Sequence, residues 1–526
     1  MIVEELSSQI NELAIPEHTR KVVDLHLEFL RDCPDNSLDT ITTIDFLSQV
    51  AQLPWKSSDK SVNPKNISDL PTVNIGQYVP DYMHRHLTDF ITTYPISEPK
   101  TLDKIPVLVG PPGTGKRTLT ERIAGVLNMP VQEIDLGFMT HDGHLFGTPG
   151  DSSLAESGAL IKAIMDSGRP DTVIVLRNLG LAVEQWPDRG LDLLRLLTNY
   201  KSRQNFRDRF LNIEFDLTDV LFVIHLNSTD ELPEIICDQT CLIDCPGYTS
   251  DMRKQLAITS IMPKILDTYG LDSTELMLGE DAAGDLVRDY AKEPGLSSLE
   301  RILHKLVRQL AAKQARNEDW QGTIDSTILR NMLGSPSDRC VAINTAPRPG
   351  VSKGIVLSKT GASVEPLETV VIPGEKYFSL IDSRNTALYR VTDTAYHFVR
   401  SRMTELDISA RQLYEYGYQI GHQIHPANQD STVMGLAMLV SIVSILRDRS
   451  VDPELALVGE LTLNGQLLGV THLNHRLLAA ERAGIRRIIL PKANSDAVAE
   501  LPQDLQSQIS LVLVNDVEQA IRVALQ

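Results

Sequence analysis

Apolar residues return at helical spacing through VVDLHLEFL (22–30) and again through TIDFLSQVAQL (43–53), and Pro16 and Pro34 interrupt the pattern. Residues 2–55 therefore predict two or three helices. The stretch KSSDKSVNPKNISDLPTV (56–73) is polar, holds two prolines and reads as a linker. From about 74 the texture changes. IPVLVG (105–110), VIVL (173–176) and VLFVIHL (220–226) are short apolar runs bounded by polar turns, and KRTLTERIAGVL (116–127) is a helix between the first two. Strands alternating with helices imply a parallel sheet covered on both faces. Residues 252–316 carry helical patterns and no strong strand signal. There SSLERILHKLVRQLAA (297–312) opens with Ser297 and has Glu300 three residues on, a capping box ahead of an apolar stripe. The polar 317–350 reads as a domain joint. Beyond it, strands are predicted at GIVLS, ETVVIP, LALVGELTL, RRIILP and ISLVLV, with helices at about 385–405, 433–447, 474–483 and 516–525.

Composition narrows the class. The 526 residues allow about three or four domains. A hydrophobic share of 42% is that of a folded globular chain. A net charge of −19 argues against nucleic acid or an anionic membrane as the main partner. The longest apolar run, VMGLAMLVSIVSIL (433–446), is shorter than the roughly 20 residues that span a bilayer. MIVEELSSQINEL places acids where a signal peptide needs bases. Five cysteines give no disulfide framework. The expectation is a soluble, cytoplasmic protein of a reducing compartment.

GPPGTGKRT (110–118) stands between a strand and a helix, the context of a phosphate-binding loop. Gly110, Pro111, Pro112, Gly113, Thr114 and Gly115 would close main-chain N–H groups on phosphates, and Lys116 would reach the β- and γ-phosphates. The hydroxyl that ligates Mg²⁺ belongs directly after the lysine, where this chain has Arg117. Thr118, about 100° further round the helix, points elsewhere. The acidic pair that holds metal and polarises water belongs after VIVL, where the chain has Arg177 and Asn178. An arginine ligates no Mg²⁺, and an asparagine is no base. The plainer alternative is a glycine-rich turn with no phosphate role.

The order of motifs resembles the Lon protease family, fused AAA+ ATPases and serine peptidases. The landmarks are QLPW (52–55), GPPGTGK (110–116), FDLTDVLFV (215–223), PGYT (246–249), SSLER (297–301), YHFVRSR (396–402), VGELTLNGQLLGV (458–470) and RLLAAERAGIRRIILP (476–491). The resemblance implies an α/β protein in four parts. These are an N-terminal helical segment and linker (1–72), an AAA+ P-loop α/β core (73–250), a helical lid (251–335) and a Lon-type α/β peptidase-like domain (336–526). The family's large N-terminal substrate domain has no counterpart here.

Position by position, the resemblance places the family's arginine finger at Gln239 and its sensor-2 arginine at Ser297. It keeps the sensor-1 residue as Asn227 and puts the substrate-gripping pore-loop pair at Ser152 and Ser153. The catalytic serine falls on Val433, within DSTVMG (430–435), and the catalytic lysine on Arg476. The threonine that supports the lysine falls on Val458, while Glu460 is kept. Ser431 and Thr432 precede the helix start, and a guanidinium with a pKa above about 12 is no general base. Asp430 reads as a helix N-terminal residue. His422 and His425 read as loop or core residues rather than catalysts. Cys237, Cys241 and Cys245 are set four apart, open to a metal reading but better read as buried small hydrophobes.

The resulting expectation is a Lon-like pseudoprotease acting by binding, as a regulator or scaffold. It would form rings with itself or mixed rings with an active Lon, and would bind no nucleic acid and no membrane. Two alternatives stay open: a residual ATP-dependent serine peptidase or chaperone, and a nucleotide-binding switch without hydrolysis. ATP or ADP, if bound, would be held without Mg²⁺, Arg117 and Arg177 standing in for the metal. The opposing reading leaves both arginines reaching into solvent. No metal is expected.

Overall fold

Valine, isoleucine and leucine dominate the strands of the first sheet because both of its faces are covered. The computed structural model describes residues 2–32, 38–55, 104–149, 155–186, 190–271, 276–316, 322–335, 346–358, 361–373, 378–380, 386–422, 430–501 and 503–525. The predicted linker at 56–73 and the pore-loop pair Ser152 and Ser153 lie outside them. The chain divides into two units, residues 1–110 with 116–245 and residues 111–115 with 246–526.

The first unit opens with helices α1 (Ile2–Asn11), α2 (Glu17–Asp32) and α3 (Leu38–Gln52). It continues through β1 (Ile105–Val109), α4 (Lys116–Leu127), β2 (Val131–Asp135), β3 (Val173–Arg177), β4 (Leu221–Leu226) and β5 (Thr240–Asp244). The strands form one parallel sheet in the order β2-β3-β4-β1-β5. Side chains alternate between its faces. Leu108, Val173, Val175 and Val223 join one apolar cluster with Leu119 and Ile123 of α4. Val107, Ile174, Leu176 and Ile224 join the other, which also takes in Ile10, Val23, Leu47 and Leu53 of the three N-terminal helices. QLPW ends in Trp55, whose Nε1 donates to the Val50 carbonyl at 2.9 Å and whose ring meets Phe215 edge-on.

The second unit contains α5 (Ser250–Leu256), α6 (Ser297–Ala315) and the helix Ser326–Leu333 around their own core of Ala257, Leu266, Leu286, Leu303 and Leu329. Two expectations are corrected here. The strand Leu276–Leu278 pairs in parallel with Gly322–Ile324, so this region holds a small sheet, and residues 322–333 are structured rather than joint. Three residues are too few to show a period. In addition, the Glu300 amide donates to the Leu296 carbonyl at 2.8 Å. The helix therefore begins one residue early, and Ser297 lies in its first turn instead of capping it.

The last part of this unit runs through β6 (Val351–Ser358), β7 (Gly361–Pro373), β8 (Phe378–Leu380), α7 (Thr386–Ser401), β9 (Tyr416–His422), α8 (Gly435–Arg447), β10 (Leu455–Leu457), α9 (Leu473–Arg482), β11 (Arg487–Pro491), β12 (Ser510–Val514) and α10 (Val517–Ala524). Its sheet has the order β8-β9-β7-β6-β10-β11-β12, antiparallel where β7 meets β9 and β6 and parallel elsewhere. The long apolar run is α8, buried on nearly every side, as a helix apolar all round must be. Among the described residues no helix is long and apolar enough to cross a membrane.

Candidate functional site

The glycine-rich loop joins β1 to α4, a strand and a helix N-terminus as predicted. Gly113 and Gly115 adopt φ of 77° and 90°, left-handed values that glycine takes without a Cβ penalty. Thr114 Oγ1 donates to the Pro111 carbonyl at 2.9 Å and closes the turn. The Leu296 amide donates to the Gly113 carbonyl at 2.8 Å. A Cβ on Gly113 would come within 2.7 Å of the Ser297 backbone nitrogen. Ser297 thus packs on the loop with both its backbone nitrogen and its hydroxyl.

In the first unit, Lys116 Nζ donates to the Gly110 carbonyl. Burial draws this ammonium down to about 8, helped by Arg177 and opposed by Cys245 and Glu231. Arg117 and Arg177 share one acid. Glu133 of β2 lies 3.8 Å from Arg117 Nη1 and 3.7 Å from Arg177 Nη1. Arg117 Nε also meets Glu121 at 3.1 Å, one helical turn on. Both guanidiniums are substantially exposed, and Thr118 is exposed beside them. Asn178 has φ 58°. Its Nδ2 donates to Asp135 Oδ1 at 2.6 Å, and the same oxygen accepts from the Gly137 amide at 3.0 Å. Asparagine tolerates that backbone better than most residues, so here it builds the turn after β3.

Asn227 follows β4, and its backbone amide donates to Glu231 at 3.0 Å. Gln239 is exposed at the end of a 3₁₀ turn, Glu234–Gln239. Sequence reasoning missed Glu133 and His225. Glu133 sits in VQEID, where only Ile134 is buried, and nothing marks it as a partner of two arginines. His225 lies inside an apolar strand, bonded to Thr120 Oγ1 at 2.8 Å. Burial, then Lys116 and Arg177, pull it down to about 3, so it is neutral near pH 7.

The second constellation lies wholly in the second unit. A 3₁₀ turn, Ser431–Met434, leads into α8. Val433 is 2% exposed and shares an apolar cluster with Val458, Leu473 and Leu477. Arg476, on α9, is 1% exposed. Its Nε donates to the Thr471 carbonyl at 3.0 Å and its Nη1 to the Ile355 carbonyl at 2.6 Å, while Nη2 binds the Asp430 carboxylate. Burial pushes the Asp430 carboxyl up, against the pull of Arg476. Asp430 stands at the N-terminus of the turn, as expected; its carboxylate makes no capping bond and binds the arginine instead. Ser431 is buried, and Thr432 Oγ1 donates to Glu460. The backbone of His422 ends β9, and His425 lies outside the described residues.

The cysteines part company. Cys237 is exposed, Cys241 half-buried and Cys245 buried. The Cys245 thiol is pushed up to about 12 by burial. The buried-hydrophobe reading thus fits Cys245 and fails for Cys237.

In chemical terms, a valine side chain carries no nucleophilic atom. A guanidinium held by two carbonyls and a carboxylate is a structural cation. The fold joins a P-loop α/β module to a helical lid and an α/β domain of peptidase type. Residues 323–526 match the Lon protease (S16) C-terminal proteolytic domain, and residues 267–323 match the Lon protease AAA+ ATPase lid domain. Together these matches cover residues 267–526, and the chain is similar to Lon proteases along nearly its whole length. It is 26% identical to a Lon protease of Halothermothrix orenii, over 99% of this chain and 66% of that one. It is 28% identical to a Lon protease of Lawsonia intracellularis, over 99% and 63%. It is also 28% identical to Lon protease 2 of Sorangium cellulosum, over 100% and 65%. The chain thus spans about two thirds of the length of these relatives.

Proposed function

We propose that this protein acts by binding, as a regulator or scaffold on the Lon frame, and turns over substrate at neither site. The supporting observation is the buried Arg476, satisfied by Asp430, Ile355 and Thr471 beside an equally buried Val433. At those two positions the chain offers neither a nucleophilic atom nor a general base. The partner is a second copy of the chain or an active Lon subunit in a mixed ring, in the cytoplasm or another reducing compartment. The test is an assay on an unfolded protein substrate with Mg·ATP. No cleavage is expected from the protein alone, and a changed rate is expected when it is mixed with an active Lon. Cleavage by the protein alone that disappears in Thr432→Ala would instead establish a residual peptidase.

The convergence of Arg117 and Arg177 on Glu133 favours a second reading, a nucleotide held without metal. Two guanidiniums in the metal-ligand positions repel a divalent cation and attract phosphate oxygens. ATP or ADP is then expected to raise the melting temperature in EDTA, since a ligand of the native state stabilises it. The rise is expected to weaken as pH passes upward through about 8, where Lys116 loses its proton. A melting temperature indifferent to nucleotide, with or without Mg²⁺, sinks this reading and leaves the first intact.

A further inference from the structure

Helix α9 is anchored by buried polar groups at both ends. Toward its start Arg476 holds Asp430 and the Ile355 carbonyl. At its end Glu481 accepts from the Ser250 amide at 3.2 Å and from Ser250 Oγ at 3.1 Å. Ser250 opens α5, the first helix of the lid region. The next residue of α9, Arg482, donates through Nη2 to the Ala362 carbonyl of β7 at 3.2 Å.

The lid side of this joint is equally dense. Arg253, on α5, is 1% exposed. Its guanidinium donates to the Ala291 carbonyl at 2.7 Å and to the Val287 carbonyl at 3.3 Å, tying α5 to the segment that leads into α6. Burial draws both Arg253 and Arg482 down to about 10; Glu481 and Glu293 oppose this at Arg253, while at Arg482 the neighbouring Arg253 adds to it and Glu481 opposes it. Beside them β7 starts at Gly361, where a Cβ would stand 2.8 Å from Pro294 Cγ and 3.1 Å from Pro111 Cγ. Glu481 thus fixes the first residue of α5 with its carboxylate while lying within the field of both guanidiniums.

We propose that α9 is a strut that ties the lid to the 430–435 turn, with Glu481 as its clamp on Ser250. Ten residues of helix are a rod of about 15 Å, too short to bend without breaking hydrogen bonds. Both termini are held by groups that are expensive to leave unpaired. Movement of α5 therefore has to move the Arg476–Asp430 pair, or else break the clamp. This goes beyond the binding role proposed above, because it concerns how strain passes through the chain whatever the partner.

Amide hydrogen exchange on the full chain tests it. In Glu481→Ala the Ser250 and Met252 amides are expected to exchange about tenfold faster, and the 431–436 amides at the far end of α9 about threefold faster, while β11 and β12 stay unchanged. Arg476→Met is expected to act in reverse, loosening 250–256. Exchange that rises only beside each substitution refutes the strut. Where Glu481→Ala does not fold, Glu481→Met, which keeps the stem and removes both acceptor oxygens, reads the same amides, and unchanged Ser250 exchange in that folded variant refutes the clamp.

Discussion

Arg476→Met is expected to lower folding stability by about 3 kcal/mol or more, because it strands a largely buried carboxylate and two carbonyls. Methionine nearly matches the length of the arginine stem, so the loss reports charge and hydrogen bonds more than a cavity. The measurement is the urea midpoint of the transition that reports the peptidase-like domain. Asp430→Asn added to Arg476→Met is expected to recover part of the loss, since a neutral amide is less costly to bury alone. A single-variant loss under about 1 kcal/mol would place Arg476 among ordinary surface ion pairs and remove its structural role. The result also bears on function. A side chain on which folding depends this heavily is not held in readiness for chemistry.

Acid is expected to unfold the first unit through His225. The imidazole is 7% exposed, and its folded value of about 3 lies well below the ordinary 6.5. Above 6.5 both folded and unfolded chains carry it neutral, and it contributes no pH dependence. Below 6.5 the unfolded chain takes up a proton that the folded chain refuses, so stability falls with pH until the folded value is reached. At pH 4.5 the loss is roughly 2.5 kcal/mol. His225→Gln keeps a hydrogen-bonding group for Thr120 and removes the titration. Its stability between pH 6.5 and 4.5 is expected to be flatter than that of the parent by about that amount. Parallel curves would mean that another group carries the acid sensitivity.

The parts of the fold that were legible in the sequence are those where burial imposes a period. The apolar runs of β1, β3 and β4, the helix starting at Lys116 and the all-apolar α8 announce themselves. Strand β2 does not, because at the sheet edge only Ile134 of its five residues is buried. Nor does Leu276–Leu278, whose partner lies more than forty residues on. The site divides in the same way. Lys116, Arg117, Val433 and Arg476 are visible because a motif assigns each a place. Glu133, His225 and the Glu481–Ser250 contact are visible only in three dimensions, since their partners come from other strands and helices. Asp430 was legible as the acid ahead of the helix, and only the fold brings Arg476 to its carboxylate.

Asn178 has a consequence for the direction of change. The left-handed backbone after β3 and the bond to Asp135 are both made by this one side chain. A glutamate placed there would lose that bond, and in a left-handed conformation it would be strained by about 1 kcal/mol or more. At Val433 a serine would bring a hydroxyl into an apolar cluster, and at Arg476 a lysine would offer one point charge where three directed bonds are made. Each of these three substitutions is thus uphill for folding on its own. Asn178, Val433 and Arg476 are thus the mortar of the turn, the apolar cluster and the buried ion pair in which they stand, and the fold resists exchange at each.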